Sequence, residues 1–376
     1  MDATPRDELP LDARTLPARY YIDADHFVEE RERFFARMWA CVGREDELAR
    51  PGEAIVREVA DESLILVRGE DDEIRAFYNV CRHRGTRLLN EPECQPGRRI
   101  QCPYHAWTYD LQGRLVGAPH MDEGPRFRKA DYSLRPVALA RWDGHLFVHL
   151  GHDPTPLGAQ LGDLPAKFRP WGMGELRRAH RIVYDVAANW KLILQNFSEC
   201  LHCPLIHPAL QELSHYLSGE NEPATSTYLG GRMELRDGVE TLAMGGKSGL
   251  ATLPALAEAD RRHVYFYVLL PNLMLSLHPD YMITHLLRPL ARDRTEIICD
   301  FHVRPEELAR PDFNIAKVVE FWDLTNRQDW HVSELTQLGL RSRSYSPGPY
   351  SDREDLLYAL DRLVVRPAEP TLDTAD

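Results

Sequence analysis

Apolar residues recur along this chain with two different periods, and the change of period divides it. From Asp23 to Trp39 the run DADHFVEERERFFARMW sets Phe27, Phe34, Phe35 and Met38 on one face at helical spacing, with Asp23 where an N-cap belongs. From about residue 41 to 151 the runs become short, as in SLILVRG, IRAFYNV and HLFVHLG. Glycines and prolines punctuate them, which predicts a compact all-β unit. A Pro-containing connector, HDPTPLGAQLGDLPAKFRPWG, follows. Beyond it helix and strand mix. NWKLILQNFSECLHC and NIAKVVEFWDLTNRQDWHVSELTQLGL read as helices, and TEIICDFHV as a strand. The greasiest stretch, YFYVLLPNLMLSL (265–277), is short and broken by Pro271 and Asn272, so it reads as buried sheet and not as a membrane span. The tail, 366–376, is polar and Pro-bearing, which predicts disorder.

Composition adds exclusions. With 376 residues and 43.2 kDa there is chain enough for two cores. The net charge of −13 repels nucleic acid and anionic membrane, although a local basic patch can still dock an acidic redox partner. Seven cysteines without a secretory leader point to a reducing cytoplasm and metal-bound thiols in place of disulfides. No internal repeat appears. GGKSG (245–249) is not a phosphate loop, because Thr241 stands where the upstream glycine belongs.

Two constellations carry chemistry. In the first, NVCRHRG supplies Cys81 and His83, and QCPYHAWTY supplies Cys102 and His105. Zinc commonly takes cysteines in pairs and histidines separately. Here each loop gives one of each, which suits a [2Fe–2S] cluster with two thiolates on one iron and two imidazoles on the other. CRHRG followed by CPYHAWTYDLQGRLVGAP resembles the Rieske domain of the Rieske non-heme iron oxygenases. Cys94, between the loops, reads as a free thiol.

The second lies in NWKLILQNFSECLHCPLIHPAL. His202 and His207 are five residues apart, about 140° on a straight helix. They converge only if the helix breaks, and Pro204 is the predicted break. Two imidazoles and a carboxylate form the facial triad of Fe(II) oxygenases. On the late helix the apolar stripe passes through Ile315, Val318, Val319, Trp322 and Val332. Asp329 falls on it, whereas Asp323 is about 100° away. A carboxylate aimed at a core needs a partner, so Asp329 is the expected third ligand, the alternative being a partner for a buried arginine. Glu199, three residues before His202, shares its helical face. Asn196, one turn earlier, either faces substrate or caps a strand. Cys200 and Cys203 read as packing thiols, with a zinc knuckle including His207 as the competing reading. His278 and His285 are left outside the site.

Both segments, with FWDLTNRQDWHVSELTQLGL, resemble the α subunits of that oxygenase family, although Gln195 stands where an acidic or apolar residue is common. The resemblance implies an α+β protein. Residues 1–40 would be a helical segment on the catalytic domain, 41–155 an all-β Rieske domain, and 156–365 a helix-grip-like catalytic domain. It implies a mononuclear Fe(II) on His202, His207 and Asp329, with O2 as co-substrate. Electrons would come from NAD(P)H through a separate reductase or ferredoxin. It further implies a homotrimer, with or without a β subunit, in which electrons pass from His105 of one chain through Glu199 to His202 of the next. The substrate is a small organic molecule, aromatic or a quaternary amine, and Tyr265 with Tyr267 offers either an ammonium cage or sheet core. Two rivals remain at this level. A pure electron-transfer protein would need only the first constellation, and a zinc-stabilised binding protein would be redox-silent.

Overall fold

A computed structural model describes residues 9–365; the expected disordered tail, 366–376, lies outside the described residues. The described chain divides into two compact units, one of residues 34–159 and one of residues up to 33 together with 160 onward.

The first unit is β throughout its core. Strands β1 (Ala40–Arg44), β2 (Ala54–Val59), β3 (Glu62–Arg68), β4 (Ile74–Tyr78), β5 (Glu93–Cys94), β9 (Pro136–Trp142) and β10 (His145–His149) form one antiparallel sheet in the order β1-β10-β9-β4-β3-β2-β5. The strands β6 (Arg99–Gln101), β7 (Thr108–Asp110) and β8 (Leu115–Gly117) make a separate small sheet. Local sequence sets the registers. Asp143-Gly144 joins β9 to β10 with φ of 45° and 82°, the two-residue turn whose twist matches the strands it links. The aliphatic run Leu64–Val67 on β3, an interior strand of the sheet, is wholly buried.

The second unit hangs on a seven-stranded antiparallel sheet: β11 (Arg177–Val186), β12 (Glu220–Asn221), β13 (Tyr228–Glu234), β14 (His263–Leu269), β15 (Leu273–Leu277), β16 (Met282–Ala291) and β17 (Arg294–Val303), ordered β11-β17-β16-β15-β14-β13-β12. The greasy stretch 265–277 is the β14–β15 hairpin, with Leu269 opposite Leu273. Four helices matter to the site: α1 (Ala24–Glu30), α2 (Trp190–Phe197), α3 (Ala316–Gly339) and α4 (Asp355–Val365).

The structure differs from expectation at three helices. The first ends as an α-helix at Glu30 and passes into a π-helical turn, Arg31–Ala36. Asp23 does cap it, accepting from Asp25 and His26 N–H at 2.8 and 3.1 Å. The helix beginning at Trp190 stops at Phe197 and does not run on to Cys203. Ser198 leaves helical geometry while its hydroxyl donates to Leu194 O at 2.7 Å, a local bond that competes with helix continuation. Pro204 therefore breaks nothing. It sits in the first turn of the next short helix, Cys203–Ile206, where its missing N–H costs little. On α3 the buried stripe is more polar than expected: Val318, Phe321, Trp322, Thr325, Asn326, Trp330, Ser333 and Gln337.

α1 is fixed to α2 by a buried charge. Lys191, with its side chain fully enclosed, donates to Glu30 at 2.7 Å, and Trp190 Nε1 donates to the same carboxylate at 3.0 Å. Gln195, one turn on, donates to Tyr21 Oη at 2.9 Å and to Asp361 at 2.6 Å, which accounts for an amide at this position. Burial pushes Lys191 down to about 8 against the pull of Glu30, and pushes Asp361 up to about 6. Removing one partner strands the other charge, so Lys191→Met is expected to destabilise the unit by ~3–5 kcal/mol. Lys191→Met with Glu30→Gln should recover most of that, read from the unfolding midpoint of the second unit. Equal losses in the two variants would contradict the pairing.

Candidate metal centres and the cavity beside them

The first candidate centre lies on two loops of matching build. After β4, Cys81 N–H donates to Thr86 O at 2.8 Å and Gly85 N–H to Cys81 O at 3.0 Å. Between β6 and β7, Cys102 N–H donates to Trp107 O at 2.8 Å and Ala106 N–H to Cys102 O at 3.1 Å. Gly85 and Ala106 hold the same place in their turns and share a left-handed backbone, with φ of 75° and 56°. Asn79 clamps the first loop, accepting from Leu88 and Leu89 N–H, both at 3.0 Å.

The result sorts the ligand types by depth. Cys81 and Cys102 are buried, whereas His83 is exposed and His105 half-buried. The two rings lie 4.7 Å apart, and His83 stacks on Trp107 at 4.8 Å. Burial raises the Cys81 thiol. At Cys102 the same push is outweighed by backbone N–H groups of Tyr104 and His105, which hold it below its ordinary value. Tyr109, missed in the sequence, accepts from Arg82 N–H at 3.0 Å and puts its hydroxyl 3.4 Å from Cys81 Sγ. Two thiols inside, two imidazoles outside and a hydroxyl at a sulfur are the donor set a mixed Cys/His [2Fe–2S] cluster takes.

The second candidate centre joins three segments. His202 and His207 flank the short helix Cys203–Ile206, their rings 5.1 Å apart. Asp329, from α3, places Oδ1 2.8 Å from His207 Nε2 and 3.3 Å from His202 Nε2. Each imidazole uses its other nitrogen on the protein. His202 Nδ1 meets Glu199 Oε1 at 2.5 Å, and His207 Nδ1 meets Gln328 Oε1 at 2.8 Å. Both Nε2 atoms are thereby turned toward one point with Asp329, the orientation metal-binding histidines need. Among the described residues Asp329 has no arginine partner; Asp323 instead serves Tyr184 and Arg327.

Several expectations need correction here. Glu199 and His202 do not share a helical face, since both lie in the loop after α2; the contact is made by the loop. Cys200 and Cys203 are joined in a disulfide across a tight turn, their Cα atoms 5.0 Å apart, and are not unlinked packing thiols. Cys203 is close enough to His202 and His207 to share a metal, but its sulfur is committed. His278, left outside the site, is fully buried. It stacks on Tyr281 at 4.0 Å, and neither ring nitrogen has a hydrogen-bond partner among the described residues. Burial holds it neutral. His285 is buried near Asn326 and Asp329, and burial pushes it down to about 4. Gln328 was missed, although the need of His207 for a second partner made a polar neighbour of Asp329 worth seeking.

A cavity of about 1100 Å³, including its open mouth, reaches this centre. Asn196 lines it, along with Phe266, Trp322, Trp330 and Tyr216. Tyr265 and Tyr267 do not. Successive strand residues point to opposite faces, so Phe266 meets the cavity while its neighbours pack on Phe168 and Trp171. Of the two readings open for those tyrosines, they take the sheet core and not the cage.

Residues 38–136 match the profile of the Rieske [2Fe-2S] domain, and residues 173–368 that of the ring-hydroxylating alpha subunit (catalytic domain). The chain belongs to the Rieske non-heme iron oxygenases. The carnitine monooxygenase oxygenase subunit of Escherichia coli (strain K12) is 32% identical over 340 residues, 89% of this chain and 87% of that one. The glycine betaine monooxygenase oxygenase subunit of Pseudomonas aeruginosa (strain UCBPP-PA14) is 28% identical over 365 residues, 90% and 85%. A crystal structure of the quaternary ammonium Rieske monooxygenase CntA with an inhibitor superposes with TM-score 0.78 at 25% identity, covering 95% of this chain and 98% of that one. The protein is accordingly an oxygenase component that works with a Rieske cluster, a mononuclear iron, O2 and an electron donor. Among the described residues, no helix is long and apolar enough to cross a membrane.

One consequence concerns metal loading. Burial pushes the His202 imidazole down, but Asp329 and Glu199 outweigh it and lift it to about 10. Burial also pushes Asp329 up, and the two imidazoles outweigh that and hold it below the usual carboxylate range. Iron takes the neutral imidazole, so His202 must lose a proton on loading. Apparent Fe(II) affinity should therefore rise with pH, roughly tenfold per unit between pH 6 and 8, measured anaerobically by chelator competition. A flat profile would contradict this proton balance.

Proposed function

We propose that this chain is the terminal component of a cytoplasmic, homotrimeric system that oxidises a small amine or aromatic substrate. A separate NAD(P)H-linked reductase, with or without a ferredoxin, would supply the electrons. The observation that carries the reading is the convergence of His202, His207 and Asp329 beside an aromatic-walled cavity. In the proposed assignment Cys81, His83, Cys102 and His105 hold the cluster, and those three residues hold the iron. Residues 41–155 form the cluster domain and 156–365 the catalytic domain. When bound, the iron would supply the oxygen chemistry and the cluster would supply single electrons.

The chain's own groups supply position, proton control and dryness. Gln328 and Glu199 fix the ring orientations of the two histidines. Trp322 is held against the cavity by its indole N–H, which donates to Tyr281 Oη at 2.7 Å. Asn196, at the end of α2, is placed to orient substrate. The aromatic lining presents π-faces that suit an amine cation or a ring. The relatives are named for glycine betaine and carnitine, which favours the amine, with oxidative demethylation or hydroxylation as the outcome.

Glu199 has a second role in this reading. One carboxylate oxygen engages His202, and the other accepts from Leu201 N–H. Of the cluster histidines, His83 is exposed and His105, the relay's starting point, is half-buried, so both are more accessible than the two cysteines. A relay from His105 of one copy through Glu199 to His202 of the next uses both facts.

Glu199→Gln keeps the shape and removes the charge. It should leave iron and sulfide contents unchanged and slow single-turnover oxidation of the reduced cluster roughly 10- to 100-fold, the scale of losing a residue that supports a metal ligand. Light scattering should give a trimer of the 43.2 kDa chain. Unchanged cluster oxidation in the variant, or a monomer with full activity, would overturn the inter-chain relay.

A further inference from the structure

The charged lining of the cavity is nearly all committed to itself. Glu199 and Asp329 face imidazoles. Arg232 donates to Glu220 through Nε and Nη2 at 3.0 and 2.7 Å. Arg353 is the exception. It lines the cavity beside Asn221 and Leu356, in the sequence SDREDLL, where acids stand on both sides of it.

Two of those acids are turned elsewhere. Asp355 accepts from Asn221 Nδ2 at 2.6 Å, and Glu354 accepts from Ser351 N–H at 2.7 Å. Among the described residues the Arg353 guanidinium forms no ion pair. Its backbone is nonetheless well placed. Its own N–H donates to Ser351 Oγ at 3.3 Å, and α4 begins two residues later, anchored by buried Leu356, Leu357, Leu360 and Val364. Arg353 is solvent-exposed where it lines the cavity, whose walls include the apolar Phe266, Trp322, Trp330 and Met233, and a planar cation there can take a carboxylate through two parallel N–H bonds.

We propose that Arg353 anchors a carboxylate of the substrate, so that this oxygenase takes compact organic acids in preference to neutral molecules of the same shape. The inference rests on the oxygenase reading for the cavity being the substrate site. It selects within that reading: zwitterionic amines and aromatic acids fit, whereas amino alcohols and plain hydrocarbons lack the group Arg353 would hold.

The test is calorimetric binding of matched pairs to the cluster- and iron-loaded protein: glycine betaine against choline, carnitine against its methyl ester, and benzoate against benzamide. In at least one pair the acid should bind about 10- to 100-fold more tightly, the range of hydrogen bonds to a charged group. Arg353→Gln should erase that difference while leaving the neutral member's Kd unchanged, which shows that the cavity is intact. Arg353→Lys should keep part of it, as a point charge without the fork. Three results overturn the proposal: no binding by any of the acids, no preference for the acid in any pair, or a preference that survives Arg353→Gln. The oxygenase reading fails separately. If acids bind through Arg353 but never stimulate reductase-dependent O2 uptake, the anchor stands and the proposed function falls.

Discussion

One carboxylate faces two imidazoles, and the arrangement of the second unit follows from that contact. Asp329 is only 16% exposed at the edge of an aromatic cavity. A charge there is expensive unless it is paired or bound to metal. His202 and His207 provide the partners, but they come from a segment that a continuous α2 would have splayed apart. The helix therefore has to stop, and it stops at Phe197. The loop that follows lets Glu199 turn back on His202, and the short turn Cys203–Ile206 delivers His207 to Gln328. Each imidazole gives one nitrogen to the protein and keeps the other for the common point.

How far this was legible in the sequence depended on how local each cause was. The cluster loops could be read because one Cys and one His within a few residues leave little freedom, and the two turns repeat the same hydrogen bonds. His202, His207 and Asp329 could be read because a carboxylate near a helix's apolar stripe asks for a reason. The end of α2 could not. No glycine or proline marks Ser198, and the proline that does appear starts the next turn. Gln328 was hidden because its partner is 121 residues away in sequence. Tyr265 and Tyr267 left two readings open because aromatic character says nothing of which face of a strand a side chain takes; they are core, and Phe266 between them meets the cavity.

Gln195 shows the same limit from another side. As a letter it only departed from a family habit. In the fold it lies between Tyr21 and Asp361, beside the Glu30–Lys191 pair, so α1, α2 and α4 are held together by polar groups. The helix that leads into the metal loop is thus fixed by charge at its first turn and by an amide at its last. The cavity wall carrying Leu356 and Arg353 is fixed from the same network, so the framework that positions the histidines also positions what faces them.

The most direct test of the account is iron and acid-labile sulfide per chain on anaerobically purified protein, with EPR of the dithionite-reduced form, for the wild type and for Asp329→Ala. The account predicts about three irons and two sulfides per chain, two for a cluster of the [2Fe–2S] class and one for the triad. Asp329→Ala should lose one iron and keep the reduced-cluster signal. Zinc in place of iron, or an iron content that Asp329→Ala leaves unchanged, would contradict it.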